Sequence, residues 1–327
     1  MSECIAKYDS KNVSILIENG LVNKNFDFLN KEKRHLVITD TNLLKQYKQL
    51  LNKIPNLITI IAIKPGEGAK SLKVYEKIIK ALKKIGLNKD DVIISFGGGV
   101  INNLTGFIAC TYLRGIEYIQ IPTSLTAQID SSIGGKCGIN LTDKNDIGCF
   151  YHPTKIIVDQ NLLKTLPQKE FFNGMTQIIK YGLIKDNTII SDIQKFNYPF
   201  NANLLFSLIE RSIKVKIYLT HKDEYDESLQ HLLNLGQTFG KIILKKSKNK
   251  ISYGEAVAIG MYYELNGSPY QNEVFDLLQK YQLANNIPKW NIDFIKELKQ
   301  NNKDGASTIE LVELIKIGSA KIYTKKI

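Results

Sequence analysis

The chain has 327 residues, 43% hydrophobic and 23% charged, which suits a globular protein of one large or two medium domains and excludes a disordered or fibrous one. Its 44 basic and 32 acidic residues give a formal charge of +12, but only Arg34, Arg114 and Arg211 are arginines and the lysines are spread among Asn and Ile. That spread reads as compositional bias and not as a nucleic-acid surface. Met1-Ser2-Glu3-Cys4-Ile5 starts no signal-peptide core and no window approaches about 18 apolar residues, so a cytoplasmic protein without a membrane span is expected.

Residues 13–150 alternate strand and helix signals. Val13–Ile17 and His35–Thr39 read as strands, Asn42–Asn52 as an amphipathic helix, Leu57–Ile63 as a strand and Leu72–Ile85 as a helix. Val92–Phe96 is a short β-branched run between Asp90-Asp91 and Gly97-Gly98-Gly99, and Tyr118–Ile121 is a further strand. Such alternation predicts a mainly parallel sheet covered on both faces, with ligands beyond the carboxyl ends of its strands. Past about residue 160, helix-length segments take over: Gln168–Lys185, Leu204–Asp223, Leu229–Lys246, Tyr253–Leu265 and Asn272–Ala284. A helical second domain with a cleft beside the sheet domain follows, the boundary falling near Pro153 and Asp159–Asn161, which gives domains 1–158 and 159–327. The tail Thr308–Ile315 reads equally as strand or helix. Cys4, Cys110, Cys137 and Cys149 form no CxxC pair, so reduced thiols are expected.

Three glycines after a strand and before Asn103-Leu104-Thr105-Gly106 let backbone pass close to a ligand and present N–H groups to an anion such as a nucleotide diphosphate. The spacing is not GxGxxG, and a glycine turn before a helix is more often only a tight connection. The polar stretch Gln128–Lys136, with Asp130, Lys136 and then Lys144-Asn145 among glycines and hydroxyls, is costly to keep unless something polar binds there. Asp40 follows His35–Thr39, where it suits either a ribose hydroxyl or the N-cap of the next helix. Glu67-Gly68-Ala69-Lys70 follows Leu57–Ile63 in the same way.

The segments GGGVINNLTGF, TYLRGIEYIQIPTSLTAQIDSSIGGKCGIN, KNDIG with FYHP, LKTLP, NGMTQIIKYGLI, LLNLGQTFG and YGEAVAIGM resemble the 3-dehydroquinate synthase family, in order and at its spacing. The resemblance implies an α/β fold with an N-terminal Rossmann-like parallel-sheet domain and a mainly α-helical C-terminal domain. It further implies an NAD site at Asp40, Glu67, Lys70, Gly98, Gly99, Val100, Asn103, Thr123, Ser124, Thr165 and Leu166. For the small phosphorylated anionic substrate, a seven-carbon sugar-acid phosphate, it implies Asp130, Lys136, Lys144, Asn145, Lys180, Lys216 and Asn234. Arg114 matches the family arginine that reaches the phosphate in a neighbouring subunit, which implies a homodimer. The family reaction is NAD-dependent phosphate elimination and ring closure in aromatic amino-acid biosynthesis, with a zinc or cobalt ion polarising the reacting oxygen.

The departures fall on that metal. Gln177, Gln237 and Tyr253 stand where the family has Glu, His and His, and an amide or a phenol of pKa about 10 is a poor ligand for such ions. Lys241 replaces the second His of the GHTFGH-type motif, four residues after Gln237 on the same helix face. Its ammonium could polarise a substrate oxygen in place of the metal. Gln230 replaces an arginine, Asn102-Asn103 replaces Gly-Asp, and the family's paired C-terminal lysines have no clear match around Lys299–Lys303. His221 and His231, with no carboxylate pair beside them, read as surface or capping residues. Two functions follow: a diverged synthase, or an inactive homologue serving as a partner or regulatory subunit.

Overall fold

The computed structural model describes residues 2–142, 144–195, 197–221, 229–248, 250–284, 294, 296–297 and 308–326, so the segment around Lys299–Lys303 lies outside the described residues. The chain divides into two compact units, Met1–Leu166 and Pro167–Ile327.

The first unit is built on strands β1 (Ser2–Lys7), β2 (Asn12–Ile17), β3 (His35–Asp40), β4 (Leu57–Ile63), β5 (Val92–Gly97), β6 (Glu117–Pro122) and β9 (Lys155–Val158). They form one sheet in the order β1-β2-β9-β6-β5-β3-β4. Only β1 and β2 pair antiparallel; β2–β9, β9–β6, β6–β5, β5–β3 and β3–β4 are all parallel. Helices α1 (Thr41–Leu51), α2 (Leu72–Ile85) and α3 (Gly99–Thr111) supply the covers. Leu36, Ile38 and Ile93 pack with Ile78 and Leu82 of α2 and Ile101, Leu104 and Ile108 of α3. On the opposite face Val37, Ile94, Phe96, Ile119 and Ile157 pack with Leu51 of α1 and with Leu21 and Val22. Alternate residues of a strand point to opposite faces, so a run such as Val92–Phe96 must be apolar throughout. The chain steps from β3 to the edge strand β4 and then crosses back to β5, which makes β3/β5 the switch point of the sheet. Asp40 and Gly97 end those two strands. A separate antiparallel hairpin, β7 (Lys136–Ile139) and β8 (Ile147–Phe150), opposes Cys137 to Cys149. All four cysteines are free thiols.

The second unit is centred on α4 (Gln168–Ile184), which is buried at every position from Phe171 to Ile184. Against it pack α5 (Asn187–Lys195), α6 (Ala202–His221) and α8 (Tyr253–Glu264), with α7 (Gln237–Lys246) on α8 and α9 (Gln271–Lys280) following. The predicted single helix Leu229–Lys246 is two elements, a 3₁₀ turn Leu229–Asn234 and α7. Gly236 separates them at φ 76, where a Cβ would lie 2.4 Å from the Val257 carbonyl oxygen. Only glycine combines that dihedral with that approach. The tail resolves to strands: β10 (Thr308–Lys316) and β11 (Ser319–Lys326) form a hairpin that turns at Gly318. Its Leu311, Val312 and Leu314 are buried.

Candidate functional site

At the switch point β5 ends in Gly97, Gly98 is the N-cap of α3, and the helix begins at Gly99. Gly97 pairs with Pro122, and Thr123 N donates to Gly97 O at 3.0 Å, which lays Thr123-Ser124 alongside the turn. A Cβ on Gly98 would lie 3.4 Å from Ser124 Oγ, and one on Gly99 would lie 3.0 Å from Ser131 Oγ. The first intrahelical bond runs from Asn102 N to Gly98 O, so the N–H groups of Gly99, Val100 and Ile101 have no partner one turn earlier. With the dipole of a 13-residue helix behind them, they suit a diphosphate. Asn103 is half-buried in the next turn, and the fully buried Asn102 accepts from Ser95 Oγ at 2.7 Å. Asp40 caps α1: its Oδ1 accepts from Asn42 N at 2.8 Å and Leu43 N at 3.0 Å. Thr165, followed by Leu166 as the cap of its turn, is bonded through Oγ1 to the Tyr47 hydroxyl at 2.8 Å. Tyr47 in turn lies edge-on to Phe96 of β5 at 5.4 Å.

Beyond β4, residues from two motifs distant in sequence meet. Lys70 is 1% exposed; its Nζ donates to Asn145 Oδ1 and lies 3.4 Å from Glu67 Oε1. Lys144 Nζ lies 3.9 Å from the other oxygen of Glu67. Burial raises the Glu67 pKa, but Lys144, Lys70 and the Asn140 amide outweigh it and hold the carboxyl below its ordinary value. Burial lowers the Lys70 pKa, against the pull of Glu67. The arrangement offers charge and hydrogen-bonding groups for sugar hydroxyls and phosphate oxygens. Asn140, the last residue of the segment that runs from Thr111 and one given no role in the sequence reading, bonds to both sides of this cluster.

Asp130 lies half-buried in a π-helical turn, Ala127–Ser131, a rare geometry that recurs at functional sites. Lys136 is exposed at the start of β7 with Nζ 5.8 Å from the Phe150 ring centre. Arg114 is exposed in a turn where it and Leu113 hold φ 59 and 50.

In the second unit Lys180 is fully buried, and its Nζ donates to Leu233 O at 2.8 Å. Gln237 Nε2 donates to the same carbonyl, also at 2.8 Å. Gln177, one turn before Lys180 on α4, is 1% exposed and its Oε1 has no hydrogen-bond partner among the described residues. Tyr253 opens α8 behind a capping box of Ser252 and Glu255. Asn234 and Lys241 are exposed and Lys216 is half-buried, so among these predicted residues of the second unit Lys180 is the buried ammonium. Sequence reasoning missed Glu264. Its carboxylate accepts from Gly236 N at 2.7 Å and Val312 N at 2.8 Å, which fixes the start of α7. Burial pushes it up to about 7, against those two donors and Lys180. A signal existed: Glu264 continues the buried stripe of Val257 and Met261 at helical spacing, where an acid has to be satisfied internally.

Among the described residues no group of three or more His, Cys, Asp or Glu could hold a metal ion. No helix among them is long and apolar enough to cross a membrane.

Comparison with known proteins agrees over the whole chain. The profile of the 3-dehydroquinate synthase N-terminal domain matches residues 60–173, and that of the C-terminal domain matches residues 174–304. The 3-dehydroquinate synthase of Clostridium botulinum (strain Alaska E43 / Type E3) is 35% identical, covering 100% of this chain and 99% of its own. That of Dictyoglomus thermophilum is 38% identical over 88% of this chain and 84% of its own. Among solved structures, 2-deoxy-scyllo-inosose synthase complexed with carbaglucose-6-phosphate, NAD+ and Co2+ has a TM-score of 0.88 at 22% identity, covering 100% of this chain and 96% of its own. The 2-epi-5-epi-valiolone synthase from Streptomyces hygroscopicus subsp. jinggangensis 5008, with NAD+ and Zn2+ bound, has a TM-score of 0.85 at 21% identity over 100% of this chain and 94% of its own. The last two share the fold, and the sequence matches settle the kinship: this chain belongs to the 3-dehydroquinate synthase family.

Proposed function

We propose that this protein binds NAD and a small phosphorylated anionic ligand at the family's positions and does not carry out the family's metal-dependent ring closure. The observation that carries the reading is the donor set Gln177, Gln237 and Tyr253. Two neutral amides, one of them already donating to Leu233 O, and a phenol do not fit a zinc or cobalt ion. The nucleotide side keeps more of the family pattern, with Asn102-Asn103 in place of Gly-Asp as its departure. Behind the N-cap Gly98, residues Gly99 and Val100 present N–H groups for a diphosphate beside Thr123 and Ser124, and Glu67 and Lys70 hold opposite charges where sugar hydroxyls would lie. NAD, when bound, supplies a hydride acceptor. Lys136, Lys144, Asn145, Lys180, Lys216 and Asn234 hold the anionic ligand in this reading, with Asp130 orienting a hydroxyl. The protein is a cytoplasmic homodimer whose Arg114 reaches the neighbouring subunit's ligand.

Support comes from relatives named 3-dehydroquinate synthase and from fold neighbours solved with NAD+. The deciding experiment follows phosphate release from the seven-carbon phosphate substrate with NAD, with and without added zinc or cobalt, beside calorimetric titration of NAD. Saturable NAD binding without phosphate release is expected. Release that tracks the metal would overturn the reading. Release without metal that disappears in Lys180→Met or Lys241→Ala would return the chain to the enzymes, with an ammonium as the polarising group.

A further inference from the structure

Asn140 follows the last residue of β7 and forms an isolated bridge with Ser71. Three hydrogen bonds leave it in three directions. Its backbone N donates to Lys70 O at 2.7 Å, its Nδ2 donates to Glu67 Oε1 at 3.1 Å, and its Oδ1 accepts from Asn145 N at 2.8 Å. Glu67 and Lys70 belong to the turn after β4, and Asn145 belongs to the connection between β7 and β8, more than 70 residues later. We infer that Asn140 is a positioning residue that builds the nucleotide-side turn Glu67–Lys70 and the ligand-side turn Lys144-Asn145 as one rigid unit, an inference that rests on the NAD reading above.

The side chain has to be an asparagine for a physical reason. One short planar group must aim a donor at a carboxylate and an acceptor at a backbone N–H. Aspartate would set a second negative charge against Glu67. Serine has one arm, and glutamine carries the amide a methylene too far. Lys70 and Lys144 face the same carboxylate, and Asp146 closes the connection by accepting from Leu141 N at 2.7 Å and Thr142 N at 2.8 Å. Asn140 therefore sits where the charges of the two turns are balanced, and losing it disturbs both.

The test compares wild type, Asn140→Ala and Asn140→Asp by NAD titration across pH and by hydrogen exchange at the backbone amides of Ala69, Lys70 and Asn145 in the ligand-free protein. Asn140→Ala should raise the NAD Kd about tenfold, the size expected for a lost hydrogen bond to a charged group, and should speed exchange at Lys70 as well as at Asn145. Asn140→Asp retains the acceptor for Asn145 and the fold. Its NAD affinity should recover as pH is lowered and the introduced carboxyl and Glu67 come to share a proton, which relieves their repulsion, while wild type changes less. A merely structural role predicts no such pH profile. Wild-type NAD affinity in Asn140→Ala, or exchange that speeds at Asn145 alone, would overturn the inference. If wild type binds no NAD, the NAD reading falls and the exchange comparison still decides whether Asn140 joins the two turns.

Discussion

Glu264 is the residue at which the chemistry of the second unit is most exposed to pH. Its carboxyl is held near 7 in the folded protein against an ordinary value of 4.5. The folded state thus binds the extra proton between those values, so this group's contribution to stability is complete below about pH 4.5 and is lost as pH rises through about 7. The loss amounts to about 3 kcal/mol by the usual conversion of a pKa shift. Glu264→Gln should remove that slope: the difference in urea midpoint between variant and wild type changes from pH 5 to 8 and levels off above. A constant difference over that range would contradict the assignment. Asp40 allows a cleaner separation of two roles. Asp40→Ser retains an N-cap oxygen and should hold the urea midpoint, whereas Asp40→Ala should cost about 1 kcal/mol. NAD titration of Asp40→Ser then reads the ribose role alone, and the reading above expects weaker binding.

Among the elements, the start of α7 tolerates little change. Gly236→Ala would place a methyl group 2.4 Å from both the Val257 carbonyl oxygen and Met261 Cγ at a φ of +76, so it should destabilise by roughly 3 kcal/mol or more, read from the urea midpoint. That glycine also marks where pattern reading reached its limit. Apolar spacing carries smoothly from Leu229 to Lys246, and only the packing of α8 against the chain reveals the break. The parallel strands β3, β5 and β6 were legible because strands buried on both faces must be continuous apolar runs, and the half-buried edge strand β4 because Leu57–Ile63 is a β-branched run of the same kind. β1 was not, since five of its six residues, Ser2 to Ile5 and Lys7, keep contact with solvent and an edge strand needs no such run. α5 was missed too: its apolar Ile189, Ile190 and Ile193 fit into nine residues, too short a span for periodicity to declare itself. The motif segments could be located from sequence, whereas Asn140, at the end of one of them, and Glu264 could not be given roles, because each acts through contacts with segments far away in the chain.

For the molecule as a whole, the proposal that three substitutions removed the metal predicts that three can restore it. Gln177→Glu, Gln237→His and Tyr253→His combined should bring metal content after zinc exposure to about one ion per chain, with single variants near background; an empty triple variant would show that more than the ligands has changed. Both units carry their own cores, but they become complete at different moments of synthesis. The first ends at Leu166 and its sheet closes with β9, so every strand it needs has been made before the second unit begins. The second waits for Val312, whose N–H is one of the two backbone donors to the buried Glu264. Until the C-terminal hairpin has been made that carboxylate is half satisfied, so the second unit is completed later than the first and as a whole.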